Sequence, residues 1–445
     1  VKRDKFSFFV VTTRSWLSYK PLNKNGFRVT HYDLYERSIL MKEKLKAYFE
    51  AKREEITEYT INILTDMVRE KTVNAGKESL KDFPYLTIPG EESRVSSIVI
   101  REFEKMGIPY EVRELVKGRA NVIGSYGKGE PSLLIGTHMD VVPPGDGWDT
   151  DPFEPYVKDG KIYGRGVLDN KGPIACSLAT MKIFKELDIP LSGTFMVAAI
   201  ASEEFREKGE MDPGIEFLIK NKYLTPRYAI IPDIGENMQK IDIAEKGRLV
   251  IKVTSTGKQA HGSTPDRGIN AVFMMNDFLT ELKHYKPSYT EHKYLGKPSL
   301  NLGVIKGGAA ANIVPAKCDV LLDIRYLPCQ TAEGIVEELK ELSRKVEGVF
   351  DFTIEQCSRP HEIEPDNILI KVIQENSKKI TGFTPEPFGM GGGTFAKSFN
   401  LAGIIAVGFG PGDDFAFHVA NEYVEIKQLV DFSHLLGAIA IDLLK

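Results

Sequence analysis

The run Leu133-Leu134-Ile135-Gly136-Thr137-His138-Met139-Asp140-Val141-Val142 limits most strongly what this chain can fold into. Its first three residues are continuously apolar, as in a parallel strand covered on both faces. Gly136 breaks the run, and His138 and Asp140 follow two positions apart. Residues i and i+2 of an extended segment face the same side. Both side chains are therefore expected at the carboxyl end of a buried strand, where open α/β sheets place their ligands. An imidazole beside a carboxylate suits a metal: the ring ligates, and the acid fixes its tautomer and raises its basicity. An isolated His-x-Asp is more commonly a surface pair, so the rest of the chain decides.

The 445 residues, 42% of them hydrophobic, are enough for two domains. A net charge of −4 provides no field for nucleic acid or an anionic membrane, and no apolar run reaches bilayer length. Cys176, Cys318, Cys329 and Cys357 form no C-x-x-C pair and read as reduced thiols of a cytoplasmic enzyme, with no disulfide needed. Phe8-Phe9-Val10-Val11 follows Lys2, Arg3 and Lys5 in faint imitation of a signal peptide, but Arg14 interrupts it and no small-residue cleavage site follows. Residues 1–40 are expected to be a poorly ordered extension, or sequence upstream of a start at Met41.

From Met41 onward, apolar spacing predicts a helix through Ile56, Tyr59, Ile63 and Met67, and another through Val95, Ile98 and Met106. Strands are expected at 110–112, 120–123, 133–135, 194–200 and 228–231, alternating with helices through Ala175–Phe184 and over 214–220. That alternation indicates a largely parallel sheet. Over 247–358 the order becomes strand, helix, strand, strand, helix, strand, the split βαββαβ pattern of a ferredoxin-like domain. The expected organisation is a catalytic domain over 41–246 and 359–445, interrupted by this insertion. The Gly391-Gly392-Gly393 run is a weak phosphate-loop candidate: no Lys-Ser/Thr follows it and no strand is expected to lead directly into it.

His138, Asp169, Glu204, Asp233 and His418 are each expected to follow a strand of one sheet, which would gather them on one edge. Three carboxylates and two imidazoles there would repel one another without cations. Two divalent metals resolve this, each taking one His and one terminal carboxylate while a further carboxylate bridges. The N/O ligand mix suits zinc best, with cobalt or manganese as alternatives. Glu203, adjacent to Glu204 but facing elsewhere, is the natural general base; the bland alternative is a solvated acid pair opening a helix.

The segments GTHMDVVP, GWDTDPFEP, DGKIYGRGVLDNKGP, SEE, PD, GKQAHGSTP, ANIVP, GGGT and HVANE, in this order, resemble the di-zinc amidohydrolases that include acetylornithine deacetylase, succinyl-diaminopimelate desuccinylase, aminoacylase and bacterial dipeptidases. The resemblance runs from about Met41 to the C-terminus. It implies a three-layer zinc-peptidase-like catalytic domain with an inserted lid and dimerisation domain. It further implies that His138 and Asp233 bind one metal, Glu204 and His418 the other, and that Asp169 bridges them, with a cis peptide to Asn170. Asp140 would orient His138, and Glu203 would act as base. His261 would be the lid histidine that polarises the scissile carbonyl, reaching across from the partner subunit in many members. Asn312, Arg325 and Thr394 would hold the substrate's carboxylate and backbone, although Arg325 could equally pair with Asp323 or Asp319.

Some positions depart from the family's commonest pattern: Ser202 stands where an Asp usually precedes the Glu-Glu pair. Asp233 and GGGT resemble the dipeptidases more than the desuccinylases, whereas the single-sized insertion resembles the dimeric deacylases. The expected activity is therefore hydrolysis of a dipeptide, with an N-acyl amino acid as the alternative substrate, by a homodimer that joins through the inserted domain.

Overall fold

The computed structural model describes residues 31–206 and 211–445, with side chains from residue 36 onward. The expected extension over 1–40 lies mostly outside the described residues. The boundary drawn at Met41 falls inside a helix, His31–Ala51. Ser38 is buried and donates to Asp442 Oδ1 at 2.6 Å, while Met41, Leu45 and Phe49 pack into the main core.

A nine-stranded mixed sheet carries the catalytic domain. Its centre is Thr194–Ile200, Ser132–His138, Tyr228–Ile231 and Ile405–Gly408, each parallel to its neighbour. Antiparallel strands flank it: Ala120–Gly127 and Tyr110–Glu114 on one side, Lys240–Glu245 and His361–Glu362 on the other. The strand Ser132–His138 is buried throughout. Leu133 and Ile135 join the core beneath the helices Arg53–Arg69, Ser93–Met106, Lys171–Leu187 and Ile426–Leu443, whereas Leu134 joins a second core with the helices Ile215–Lys220 and Phe395–Leu401. Alternate side chains of one apolar run therefore feed two layers of helix, which is why the run has no polar face.

Lys240–Glu245 and Glu386–Met390 are among the strands that escape the sequence reading. Lys240–Glu245 alternates Ile241 and Ile243 with polar residues, yet Asp242 and Glu245 are buried as well. Glu386–Met390 pairs with it and leads directly into the glycine run, contrary to the expectation that no strand would; the helix Phe395–Leu401 follows.

The insertion forms a separate four-stranded antiparallel sheet in the order Ser299–Gly307, Lys317–Tyr326, Gly247–Thr256, Val349–Ser358. The helices Ala271–Leu282 and Ala332–Ser343 pack against it around their own core. Asn270 caps the first helix by accepting from the Val272 and Phe273 N–H groups, and Thr331 caps the second.

Candidate metal centre

His138 closes its strand with its ring 1% exposed. Its Nδ1 lies 3.0 Å from the Asp140 carbonyl oxygen and 3.5 Å from Asp140 Oδ1. Its Nε2 lies 2.9 Å from Asp169 Oδ1 and 3.3 Å from Asp233 Oδ1. Asp140 also accepts from Asn74 Nδ2 at 2.8 Å and from the Glu203 and Glu204 N–H groups at 3.1 and 3.0 Å. Asp140 thus orients the histidine, chiefly through its backbone carbonyl, and its buried carboxylate pins the Glu-Glu turn. Burial alone would raise the Asp140 pKa, but His138 and these donors pull it down to about 2.

Asp169 presents one oxygen to each histidine: Oδ1 to His138 and Oδ2 to His418 Nε2 at 3.0 Å. His418 Nε2 is also 3.2 and 3.1 Å from the two oxygens of Glu204. Asn170 Nδ2 donates to Asp233 Oδ1 at 2.6 Å and to the Pro232 carbonyl at 2.9 Å. The Asp169–Asn170 peptide is cis. Ser202 and His418 hold φ of +62° and +60°, a conformation most side chains avoid, each beside or at a candidate ligand.

Four of the five candidate ligands follow strands of the central sheet, His418 after a longer loop. Asp169 does not: it ends the excursion through the small hairpin Tyr156–Lys158 and Lys161–Tyr163 and immediately precedes the helix Lys171–Leu187. Glu422, fully buried, puts it in place. Its Oε1 accepts from the Gly166, Leu168 and Asp169 N–H groups at 3.0, 2.9 and 3.2 Å, and its Oε2 lies 2.6 Å from Arg165 Nη1. Similarly, Glu92, paired with Arg119, accepts from the Ser202 N–H at 3.0 Å. Sequence reasoning gave no role to Asn74, Glu92, Arg119, Arg165, Asn170 or Glu422. Arg165 and Glu422 lie within GRG and HVANE, but their pairing spans 257 residues and no spacing rule reaches it.

Three overlapping groups bring ligand atoms within 4.8 Å of one another: His138, Asp169 and Asp233; Asp169, Glu204 and His418; and His138, Glu203 and Glu204. Burial, reinforced by neighbouring carboxylates, pushes Glu203 well up, Asp233 up, and Glu204 to about 8. Hydrogen bonds to Asp169 and Glu204 push His418 up to about 10; burial opposes the rise at His138, but its carboxylate neighbours still take it well above the usual imidazole range. This excess of buried anionic donors around two imidazoles is the charge pattern that divalent cations neutralise.

The other predicted residues are not members of these groups. His261 is exposed on the lid, its Nδ1 2.7 Å from Ser263 Oγ. It joins Asn312 through a short ladder, in which the Gly262 N–H donates to the Asn312 carbonyl at 2.8 Å. Arg325 pairs with Asp323 at 2.8 Å and donates from Nη1 to the Gly391 carbonyl at 3.1 Å, so it reaches from the lid to the glycine loop. The Thr394 hydroxyl donates to Glu245 Oε1 at 2.8 Å and caps the helix Phe395–Leu401.

Sheet, insertion and ligand set define a metallohydrolase. The family model for peptidase family M20/M25/M40 matches residues 134–442, well over half the chain, and the chain belongs to that family. It is 31% identical to the acetylornithine deacetylase of Myxococcus xanthus, covering 69% of this chain and 79% of that one. It is 30% identical to a probable succinyl-diaminopimelate desuccinylase of Staphylococcus epidermidis, covering 69% and 82%. Among solved structures, the aminopeptidase PepT of Bacillus cereus superposes with a TM-score of 0.68 at 21% identity, covering 87% of this chain and 99% of that one. Human carnosine dipeptidase 1 superposes at 0.64 and 17%, covering 91% and 98%. The family binds a dinuclear metal centre, and the residues that could hold it here are those just described.

Proposed function

We propose that this enzyme hydrolyses the amide bond of a small carboxylate-bearing substrate, a dipeptide first and an N-acyl amino acid second. The observation that carries this reading is Asp169, one carboxylate oxygen facing each histidine, with Glu203 alongside. In it, His138 and Asp233 would hold one divalent cation, His418 and Glu204 the other, and Asp169 both. Zinc suits the donor set best, with cobalt or manganese next. Bound there, such a pair supplies Lewis acidity, lowering the pKa of water and polarising the scissile carbonyl.

The protein's own groups do the rest. Asp140 keeps the His138 ring oriented through Nδ1 and leaves Nε2 free to ligate. Glu203 takes the proton from the attacking water and returns it to the leaving amine. His261, carried on the lid, donates to the developing oxyanion, and Asn312, Arg325 and the Thr394 loop receive the substrate's backbone and carboxylate. Identities near 30% to curated deacylases support the second substrate class. The exposed edge strand Ser299–Gly307, with Leu302, Val304 and Ile305 at its surface, supports a homodimer formed through the insertion. Among the described residues no helix is long and apolar enough to cross a membrane, and four free thiols fit a cytoplasmic setting.

The test is a hydrolysis panel of dipeptides against N-acetyl and N-succinyl amino acids, with zinc, cobalt or manganese. Faster turnover of dipeptides is expected. Turnover of acyl amino acids alone would install the second reading, and no hydrolysis in a metal-loaded protein would refute both.

A further inference from the structure

A second buried polar cluster lies where the lid joins the catalytic domain. Glu245 ends a catalytic strand, and Lys246 links it to the lid strand Gly247–Thr256. His361, on the return link, pairs in register with Glu245. Asp242, Glu245, His361 and Lys397 are all buried.

Lys397 Nζ donates to the Lys246 carbonyl at 2.9 Å and to the Gly392 carbonyl at 3.4 Å, and lies 3.4 Å from Glu245 Oε2. Two of its three donors therefore go to two segments, the outgoing link and the glycine loop, while its charge faces Glu245 at the strand end beside that link. Glu245 completes the join by accepting from the Thr394 N–H and hydroxyl at 3.1 and 2.8 Å. The Lys246 N–H donates to the Met390 carbonyl at 3.1 Å. A β-carbon at position 393 would lie 2.8 Å from Lys397 Nζ and 3.4 Å from Glu245 Oε2, so glycine leaves the room this pair needs. From the lid side, Arg325 holds the neighbouring Gly391 carbonyl.

We propose that Lys397 is a positioning residue: it ties the glycine loop to the hinge of the lid, so that the loop and Arg325 meet the substrate's carboxylate in one fixed arrangement. The link to substrate rests on the function proposed above; the tie itself does not. A single ammonium bridging two backbone carbonyls on separate segments couples them, because the ammonium is itself buried and losing either acceptor there is costly. A neutral side chain of similar length fills the space without making the tie.

The test uses metal-loaded Lys397→Met, Lys397→Arg and Gly393→Ala proteins. Amide hydrogen exchange in peptides covering 246–247 and 389–394 should accelerate about tenfold or more in Lys397→Met, while the segment 136–140 keeps its protection. With a substrate that the wild type turns over, KM should rise about tenfold with a much smaller change in kcat, and Lys397→Arg should recover most of it. Gly393→Ala, which retains both charges but forces them apart, should move both readouts the same way and decides the matter if Lys397→Met does not fold. Unchanged exchange in the loop and link overturns the tie, whatever the activity. Faster exchange with an unchanged KM overturns the substrate role alone. A wild type inactive on the whole panel removes the proposed function and leaves exchange to judge Lys397.

Discussion

The two halves of the candidate metal centre are built differently. His138 ends a central strand, its ring 1% exposed, with a carboxylate on either side. His418 hangs on a loop ten residues beyond its strand, with a side chain 52% exposed and φ at +60°. The inner half takes its geometry from the sheet, where backbone hydrogen bonds and packing from both faces leave no slack. The outer half takes its geometry from a loop and from its partners Asp169 and Glu204. The difference teaches that one half is scaffold and the other is the way in, so loss of a cation should be tolerated on one side only.

Glu203 lies with His138 and Glu204, one from each half, and its removal should have the largest effect. Glu203→Ala is expected to lower kcat by about 10²–10⁴-fold while metal content, read by elemental analysis, stays unchanged. Near-normal turnover would remove Glu203 as the base.

The comparison itself is tested by His138→Ala against His418→Ala. The first leaves Asp169, Asp233 and Asp140 buried without their imidazole and should cost about 3–5 kcal/mol in denaturant unfolding, along with the inner cation. The second should lose the outer cation at a smaller cost in stability, because His418 is itself half-exposed and water can enter the space it leaves beside Asp169 and Glu204. Equal costs would erase the distinction.

Glu422→Gln sharpens it further. The amide retains an acceptor for the three N–H groups but strands Arg165, and it loosens the loop carrying Asp169. Because Asp169 faces both histidines, both cations should bind about 10–100-fold more weakly in competition with a chelator. Weakening confined to one cation would mean that Asp169 is not shared.

Acid should reveal a smaller effect outside the centre. Burial holds His434, stacked on Phe49, and His361 neutral down to about pH 4. The unfolded chain takes up these protons near the usual imidazole value of about 6.5. Between those limits the unfolded state binds more protons, so stability falls as pH drops, by up to about 1.4 kcal/mol per pH unit for each group. His434→Phe should flatten the slope of stability against pH over that window, and an unaltered slope would assign it to other groups.

Much of the catalytic sheet was legible because its central strands are short apolar runs with no other use, and the insertion because its element order is distinctive. The candidate ligands His138, Asp233 and Glu204 could be read for the same reason: a residue at or within a few positions of the end of a parallel strand reaches the ligand edge by local geometry. Lys240–Glu245 was missed because its polar positions are buried in a cluster assembled from distant segments, and Asp169 was given a strand it does not follow. Residue types, order and strand periodicity are local properties, so the chain by itself determined the fold class and the candidate chemistry. Which buried carboxylate meets which cation, as in Glu422 with Arg165 or Glu245 with Lys397, was decided only by the tertiary structure. Those pairs form because burial makes an unpaired charge intolerable, and burial is a property of the folded whole.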